Sequence, residues 1–99
     1  MMNSEISTHQ RAALERLIQI AQRDTGQSRR IANFLLAWWN AQECGGFDLT
    51  DLWQVDSAIA SDMVTVFGLV ADHNSYPDTL GYGVQFEQIL HAWRPVLKD

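Results

Sequence analysis

The sequence predicts an all-α fold, a compact bundle of four to five helices in a single domain over residues 1–99. Apolar side chains recur with the 3.6-residue period of a helix in four separate stretches. No run of alternating β-branched residues lies between turn pairs, as a strand would require. The 99 residues, 46% of them hydrophobic and 19% charged, suffice for one hydrophobic core. We expect residues 1–6 to be flexible.

The first predicted helix spans residues 8–24. Its apolar face is formed by Leu14, Leu17 and Ile18. Ser7 and Gln10 fit a capping box, in which the hydroxyl accepts a hydrogen bond from a first-turn amide. Thr25-Gly26 supplies the stop, because glycine tolerates the left-handed conformation that closes many helices.

The second predicted helix, about residues 28–44, is expected to be the central helix of the bundle. Its core stripe consists of Ile31, Phe34, Leu35 and Trp38. Leu36 and Trp39 widen that stripe, and a helix that is apolar on most sides is usually central in its fold. Ser28 is the predicted N-cap, and Cys44-Gly45-Gly46 ends the helix.

Residues 49–72 contain a third apolar stretch, for which Asp48 is a suitable N-cap. Its periodicity is compatible with one straight helix. Asp56-Ser57 can nevertheless cap a new helix inside it, and we predict a break near residues 54–56.

Residues 74–83 are rich in glycine, proline and aspartate and predict a loop. The last helix follows and stops at Pro95. The predicted core combines the apolar faces of all these helices: Leu14, Leu17, Ile18, Ile31, Phe34, Leu35, Trp38, Ile59, Met63, Val66, Phe67, Phe86, Ile89, Leu90 and Trp93.

Charge and composition narrow the function classes. The formal net charge is −5, and the excess acid lies in the second half of the chain, so the surface repels polyanions such as nucleic acids. No apolar run approaches the length of a membrane span, and residues 1–10 lack the cationic and apolar regions of a signal peptide, so we expect no secretion. With Cys44 as the single cysteine, no internal disulfide can form. These features predict a cytoplasmic protein.

Residues that carry chemistry are sparse. The histidines, His9, His73 and His91, form no metal-binding motif; Glu87 and His91 make one i, i+4 pair. Cys44 follows Glu43 at a helix C-terminus, which disfavours a thiolate, so we interpret it as a buried small hydrophobe. We therefore predict no catalytic residue, no metal and no cofactor, and we expect that the protein is not an enzyme.

The four tryptophans are the least ordinary feature. Trp38, Trp53 and Trp93 fall on or beside core stripes, where large rings fill the space between helices. Trp39 points about 100° away from Trp38, so a second layer or a partner must cover it. Aromatic residues are enriched in interfaces. The candidate protein interface comprises Trp39, Tyr76 and Tyr82, and its partner is another protein or a second copy in a homodimer.

The alternative function is a small DNA-associated regulator. Residues 8–40 have the outline of a helix-turn-helix, whose second helix reads the major groove with residues near its N-terminus. The candidate nucleic-acid contacts are Gln27, Ser28, Arg29 and Arg30. The apolar residues 34–39 that follow, and the acidity of the chain, count against this reading.

Three segments are distinctive when taken together: SRRIANFLLAWWNAQECGGFDLTDLWQVD, MVTVFGLVADHNSYPD and GYGVQFEQILHAWRP. They resemble a family of small bacterial proteins of unknown function encoded on proteobacterial plasmids and integrative elements. The resemblance covers about residues 28–95 and carries over no site residue. It implies a bacterial cytoplasm and an accessory or regulatory role in a mobile element, which is an association rather than a mechanism.

Overall fold

The computed structural model describes residues 6–95, which form a bundle of four α-helices. The helices are α1 (Thr8–Ala21), α2 (Gly26–Cys44), α3 (Ser57–His73) and α4 (Gly83–Trp93). A 3₁₀ segment, Leu49–Gln54, precedes α3, and a π-helical turn, Asp78–Tyr82, precedes α4. The described part of the chain contains no strand, so the predicted all-α bundle is confirmed. Within residues 6–95, none of the helices combines the length and the apolar composition that crossing a lipid bilayer would take.

α1 begins with the predicted capping box. The Ser7 hydroxyl accepts a hydrogen bond from the Gln10 amide at 3.0 Å, and the Gln10 side chain accepts one from the Ser7 amide at 3.3 Å. The helix ends at Ala21, earlier than predicted. The reason is that Thr25, which was expected to belong to the stop signal, already has the extended backbone of the next N-cap.

Thr25, and not Ser28 as predicted, is the N-cap of α2. The Thr25 hydroxyl accepts a hydrogen bond from the Ser28 amide at 3.0 Å, while Ser28 itself is completely buried. Both residue types are good caps, so composition alone could not choose between them. The backbone leaves the helical conformation at Asn40, and Gly45 ends the helix with a φ of +97°.

α2 contacts α1, α3 and α4, in agreement with its predicted central position. α1 also contacts the other three helices, and α3 packs much more extensively against α1 than against α2. Because the direct contact between α2 and α3 is narrow, their facing apolar side chains do not close into a packed interface.

The predicted break before α3 is confirmed. The 3₁₀ segment ends at Gln54, Val55 is extended, and Asp56 occupies the N-cap position of α3. The side-chain oxygen of Gln27 accepts a hydrogen bond from the Asp56 amide at 2.7 Å. This contact holds the corner between the 3₁₀ segment and α3 against the start of α2.

The predicted loop over residues 74–83 is a tight connection. Asn74 ends α3 in the left-handed conformation with a φ of +45°. The π-helical turn that follows is closed by the Tyr82 amide, which donates to the Pro77 carbonyl at 3.0 Å. Gly81 has a φ of +101°, which only glycine adopts readily. α4 ends before Pro95, as predicted.

The core draws side chains from all four helices. Its largest fully buried apolar side chains from the helices are Leu14, Leu17, Ile31, Leu35, Leu36, Met63, Val66, Leu69, Phe86 and Ile89. Several predicted core residues are only half-buried and pack against this cluster, namely Phe34, Trp38, Ile59, Leu90 and Trp93. The prediction for Phe67 is wrong, since 62% of this residue is exposed. Of the segment predicted to be flexible, only Ile6 lies among the described residues, and it is buried.

Two side chains at the end of α4 tie it to the other helices. The indole N–H of Trp93 donates to the carbonyl of Ala21 at 2.7 Å. The Arg94 guanidinium donates to the carbonyl of Cys44 at 3.0 Å and to the Asn33 side chain at 2.5 Å. Arg94 therefore supplies a positive charge and a hydrogen bond at the negative end of α2.

Candidate functional site

An apolar groove with a volume of about 450 Å³ lies between α2, the 3₁₀ segment and α3. It is lined by Phe34, Ala37, Trp38, Phe47, Leu49, Leu52, Met63, Val64, Phe67 and Val70. All ten side chains are apolar and none of them titrates. Binding sites typically enclose roughly 300–1,000 Å³ and have mostly apolar linings, so both properties fit a site that holds an apolar group.

The α3 wall of the apolar groove exists because α3 is apolar on two faces. Met63 and Val66 are buried, whereas the neighbouring Val64 and Phe67 are 61% and 62% exposed. Val64 and Phe67 are three residues apart and lie on the same side of the helix, facing the groove. Their exposed surface is the part of the groove that solvent, or a partner, reaches most easily.

The α2 wall is held by aromatic contacts. Phe34 packs edge to face against Phe47, with ring centroids 5.2 Å apart and an interplanar angle of 65°. Trp38 packs edge-on against Phe86 with centroids 5.9 Å apart, and its indole N–H donates to the Ser75 carbonyl at 3.0 Å. Because these rings are fixed by the fold, this wall is formed before any ligand binds.

The third wall comes from the 3₁₀ segment, which Asp48 caps. The Asp48 carboxylate accepts hydrogen bonds from the Thr50 hydroxyl at 2.8 Å and from the Thr50 amide at 3.0 Å. These bonds lower the pKa of the Asp48 carboxyl. Leu49 and Leu52 line the groove together, because residues three apart share a side of a 3₁₀ helix. Trp53, expected on or beside a core stripe, is 81% exposed and lies outside the groove.

The structure brings Trp39 and Tyr76 together, as the predicted interface requires. Both line a shallow depression beside the apolar groove, and Trp38 lines both features. Tyr76 is exposed, while Trp39 is half-buried with its ring packed edge-on against Phe86 at 5.7 Å. The fold therefore covers one part of the Trp39 ring and leaves another part accessible.

Tyr82 is buried in the fold and does not belong to the surface patch that the sequence suggested. The π-helical turn directs its ring toward α1, where its hydroxyl accepts a hydrogen bond from Arg11 at 2.6 Å. The same hydroxyl donates to Glu15 at 2.8 Å. Burial and the hydrogen bond to Glu15 raise the pKa of Tyr82, and the nearby Arg11 opposes this rise.

A family match covers almost the whole described structure. The model of the family of unknown function DUF7673 matches residues 11–94. The chain belongs to this family. No curated protein and no solved structure matches the chain. The matched region of this DUF7673 chain contains every residue of the apolar groove and also most of α1, for which the sequence had suggested no relative.

In this DUF7673 chain, the four candidate nucleic-acid contacts do not form an exposed polar row. Ser28 is buried, and the Gln27 side chain is bonded to Asp56. Arg30 lies 3.6 Å from Asp51, and it also donates to the Gly26 carbonyl at 3.2 Å. Arg29 is exposed. Three of these four side chains therefore contact other parts of the fold or are buried, and Arg29 is the exposed one.

Cys44 is buried, as the sequence predicted. Burial raises the pKa of its thiol, Arg94 opposes this, and Glu43 raises the pKa further. A thiol in this state is a poor nucleophile. Among residues 6–95, no group of three or more His, Cys, Asp or Glu side chains is arranged to hold a metal ion.

The residues of the apolar groove were not predicted as a site from the sequence. A signal was present in α3, because Ala60, Val64, Phe67 and Ala71 follow the i, i+4, i+7, i+11 spacing of one helix face. This stripe borders the buried one formed by Met63 and Val66, and Met63 lines the groove from that side. Like α2, α3 is apolar on more than one side, and each apolar side needs a neighbour that covers it.

Proposed function

We propose that this protein is an interaction module that binds a segment of another protein in the apolar groove. The observation that carries the proposal is the groove itself, a volume of about 450 Å³ with an almost entirely apolar lining. Leu49, Val64 and Phe67 leave most of their surface to solvent although the chain has a core of completely buried side chains. A clustered, exposed apolar surface of this kind marks interaction sites in soluble proteins.

The chemistry of the lining favours binding over catalysis. None of the ten side chains carries a carboxyl, imidazole, thiol, hydroxyl or amino group that could transfer a proton or attack a substrate. What they offer is apolar area that becomes buried when a partner excludes water, at about 25 cal/mol per Å². The proposal therefore assigns the protein no catalytic role and no cofactor.

The depression around Trp39 and Tyr76 extends the same surface. It shares Ala37 and Trp38 with the apolar groove and adds polar groups, including Asp78. Interfaces commonly have an apolar centre and a more polar rim. In the proposed complex the groove supplies the centre, and the Trp39–Tyr76 depression supplies part of the rim.

The setting that we propose follows from the sequence resemblance. It is the bacterial cytoplasm, where the module serves a plasmid or an integrative element as an accessory or regulatory protein. The resemblance supports this setting by association, whereas the groove supports the binding activity by its physical properties.

The experiment that tests the proposal uses two matched variants. Val64→Asp places a charge in the apolar groove. Val84→Asp is the control, because Val84 is 70% exposed on α4 and does not line the groove. The tagged chain is purified from its native host after nuclease treatment, and the bound proteins are quantified by mass spectrometry. Circular dichroism checks that both variants fold.

We expect one stoichiometric protein partner with the original chain and with Val84→Asp. Its recovery should fall at least about tenfold with Val64→Asp, which corresponds to about 1.4 kcal/mol of binding free energy. Equal recovery with both variants would contradict the proposal. If recovery instead depends on nucleic acid and is lost in Arg29→Ala and Arg30→Ala, the protein is a DNA-associated regulator and the proposal is wrong.

A further inference from the structure

The basic residues of the chain are absent from a long central stretch. No lysine or arginine occurs between Arg30 and Arg94, and all ten residues of the apolar groove lie in this interval. The same interval contains eight acidic residues, which are Glu43, Asp48, Asp51, Asp56, Asp62, Asp72, Asp78 and Glu87. The part of the chain that lines the groove therefore carries an excess of negative charge, and Arg29 and Arg30 lie before it, near the start of α2.

Some of these carboxylates are balanced by arginines from outside the stretch. The Arg16 guanidinium of α1 forms a bidentate ion pair with the Asp62 carboxylate, with N–O distances of 2.8 and 2.9 Å. The Arg30 Nε lies 3.6 Å from the Asp51 Oδ1. Asp48 is different in position, because it is exposed and stands in the chain between Phe47 and Leu49, which both line the groove. Its hydrogen bonds from Thr50 hold the carboxylate in place at the start of the 3₁₀ segment.

The walls of the apolar groove restrict the conformation of its occupant. Two walls are α-helices, and the third is a 3₁₀ segment, so their backbone groups are engaged within these elements. The lining side chains are apolar and offer no hydrogen bonds to a peptide backbone in the groove. An α-helix, which satisfies its own backbone, therefore fits this groove better than an extended strand, which seeks hydrogen bonds from a sheet edge.

The charge around the groove distinguishes between a second copy of this chain, a polyanion and a basic helix as its occupant. In a two-fold dimer formed through this groove, the same predominantly acidic surface would face its own copy, and like charges would oppose association. A nucleic acid or an anionic membrane surface would meet the same repulsion. A helix with apolar residues on one face and lysine or arginine beside them complements both the groove and its acidic surroundings.

We propose that the apolar groove binds a basic amphipathic helix of a protein partner. The apolar face of that helix lies between α2 and α3, and its lysine or arginine side chains lie toward Asp48 and the surrounding acidic surface. This inference rests on the proposed function, and it specifies the chemistry of the partner segment.

The test is a selection from a library of displayed random peptides about 18 residues long, or five helical turns. The library is selected on the original chain and counter-selected on Val64→Asp. Enriched peptides are synthesised, and their affinity is measured by fluorescence anisotropy at two salt concentrations. For each peptide, an analogue with glutamine in place of lysine and arginine isolates the contribution of charge.

We expect the enriched peptides to be net positive and to place apolar residues at i, i+3, i+4 and i+7. Their affinity should fall at least about tenfold with Val64→Asp and remain unchanged with Val84→Asp. Asp48→Asn retains the cap of the 3₁₀ segment and removes one charge. It should weaken binding by about two- to fivefold and reduce the dependence on salt.

The outcomes separate this inference from the proposed function. If the groove-dependent peptides are neutral or acidic, or if the glutamine analogues bind equally well, the inference is wrong while the groove remains a binding site. If no peptide distinguishes Val64→Asp from Val84→Asp, both the inference and the proposed function are wrong. A concentrated sample that sediments as a dimer, and becomes monomeric with Val64→Asp, would show that a second copy occupies the groove and would overturn the inference.

Discussion

Phe34 of α2 and Phe47, two residues before the 3₁₀ segment, pack edge to face with ring centroids 5.2 Å apart. Aromatic pairs in this arrangement contribute about 0.5–1.5 kcal/mol beyond the area that they bury. Both rings also line the apolar groove. The contact that attaches the 3₁₀ segment to α2 therefore also shapes the proposed binding surface.

Replacing Phe34 tests how much of this ring belongs to the core. Because Phe34 is half-buried, we expect Phe34→Ala to lower the free energy of unfolding by about 2 kcal/mol. Phe86→Ala is the reference, since Phe86 is fully buried against Trp38 and Trp39 and should cost about 3–5 kcal/mol. Urea denaturation measures both values. A loss for Phe34→Ala as large as that for Phe86→Ala would contradict the observed burial.

Replacing Phe67 tests the correction to the predicted core. Since Phe67 is 62% exposed, Phe67→Ser should lower the free energy of unfolding by no more than about 1 kcal/mol. Met63→Ala, at the buried neighbouring position, should cost about 2–5 kcal/mol. If chemical denaturation ranks the two variants in the opposite order, the inward face of α3 has been assigned incorrectly.

Trp39 and Tyr76 line the same depression but differ in what the fold requires of them. Trp39→Ala removes a ring packed against Phe86, so we expect it to cost about 2 kcal/mol of unfolding free energy. Tyr76→Ser should change this free energy by less than about 0.5 kcal/mol, because Tyr76 is exposed. Thermal and urea unfolding measure the stability of both variants. Tyr76→Ser is therefore the variant that probes the rim in binding experiments, and a destabilised Tyr76→Ser would show that this residue supports the fold.

The stability of the protein should decline at alkaline pH. Burial raises the pKa of both Cys44 and Tyr82 in the folded state, so each group favours the fold while it is protonated. This contribution is complete below the unfolded-state pKa values, about 8.5 for cysteine and about 10 for tyrosine. It is lost as the pH rises through the higher folded-state values.

The pH dependence can be divided between the two groups by substitution. In urea denaturation at a series of pH values, Cys44→Ala should remove the part of the decline that begins at lower pH. Tyr82→Phe should remove the part that begins at higher pH. At pH 7, Tyr82→Phe should also lower the free energy of unfolding by about 1 kcal/mol, because the hydrogen bonds of the hydroxyl with Arg11 and Glu15 are lost. A decline that is unchanged in both variants would mean that other groups cause it.

The elements of the fold were predictable where the signals are local. The capping box of Ser7 and Gln10, the break at residues 54–56 and the end of α4 before Pro95 all agree with the sequence analysis. The candidate site was much less predictable. Trp39 and Tyr76 do meet at one surface, but Tyr82 turns inward to Arg11 and Glu15, 71 and 67 residues earlier in the chain. No local pattern reports a contact over that separation.

The sequence by itself determined that the chain forms helices, about where they begin and end, and that α2 needs cover on more than one side. Periodicity and capping specify these features within a few residues of chain. Only the tertiary structure decided which apolar face of α3 is buried. α3 packs chiefly against α1 and makes little contact with α2, so Met63 and Val66 enter the core while Val64 and Phe67 stay at the surface. The apolar groove exists because α2 and α3 each pack mainly against α1 and only narrowly against each other, which leaves their facing apolar side chains open to solvent.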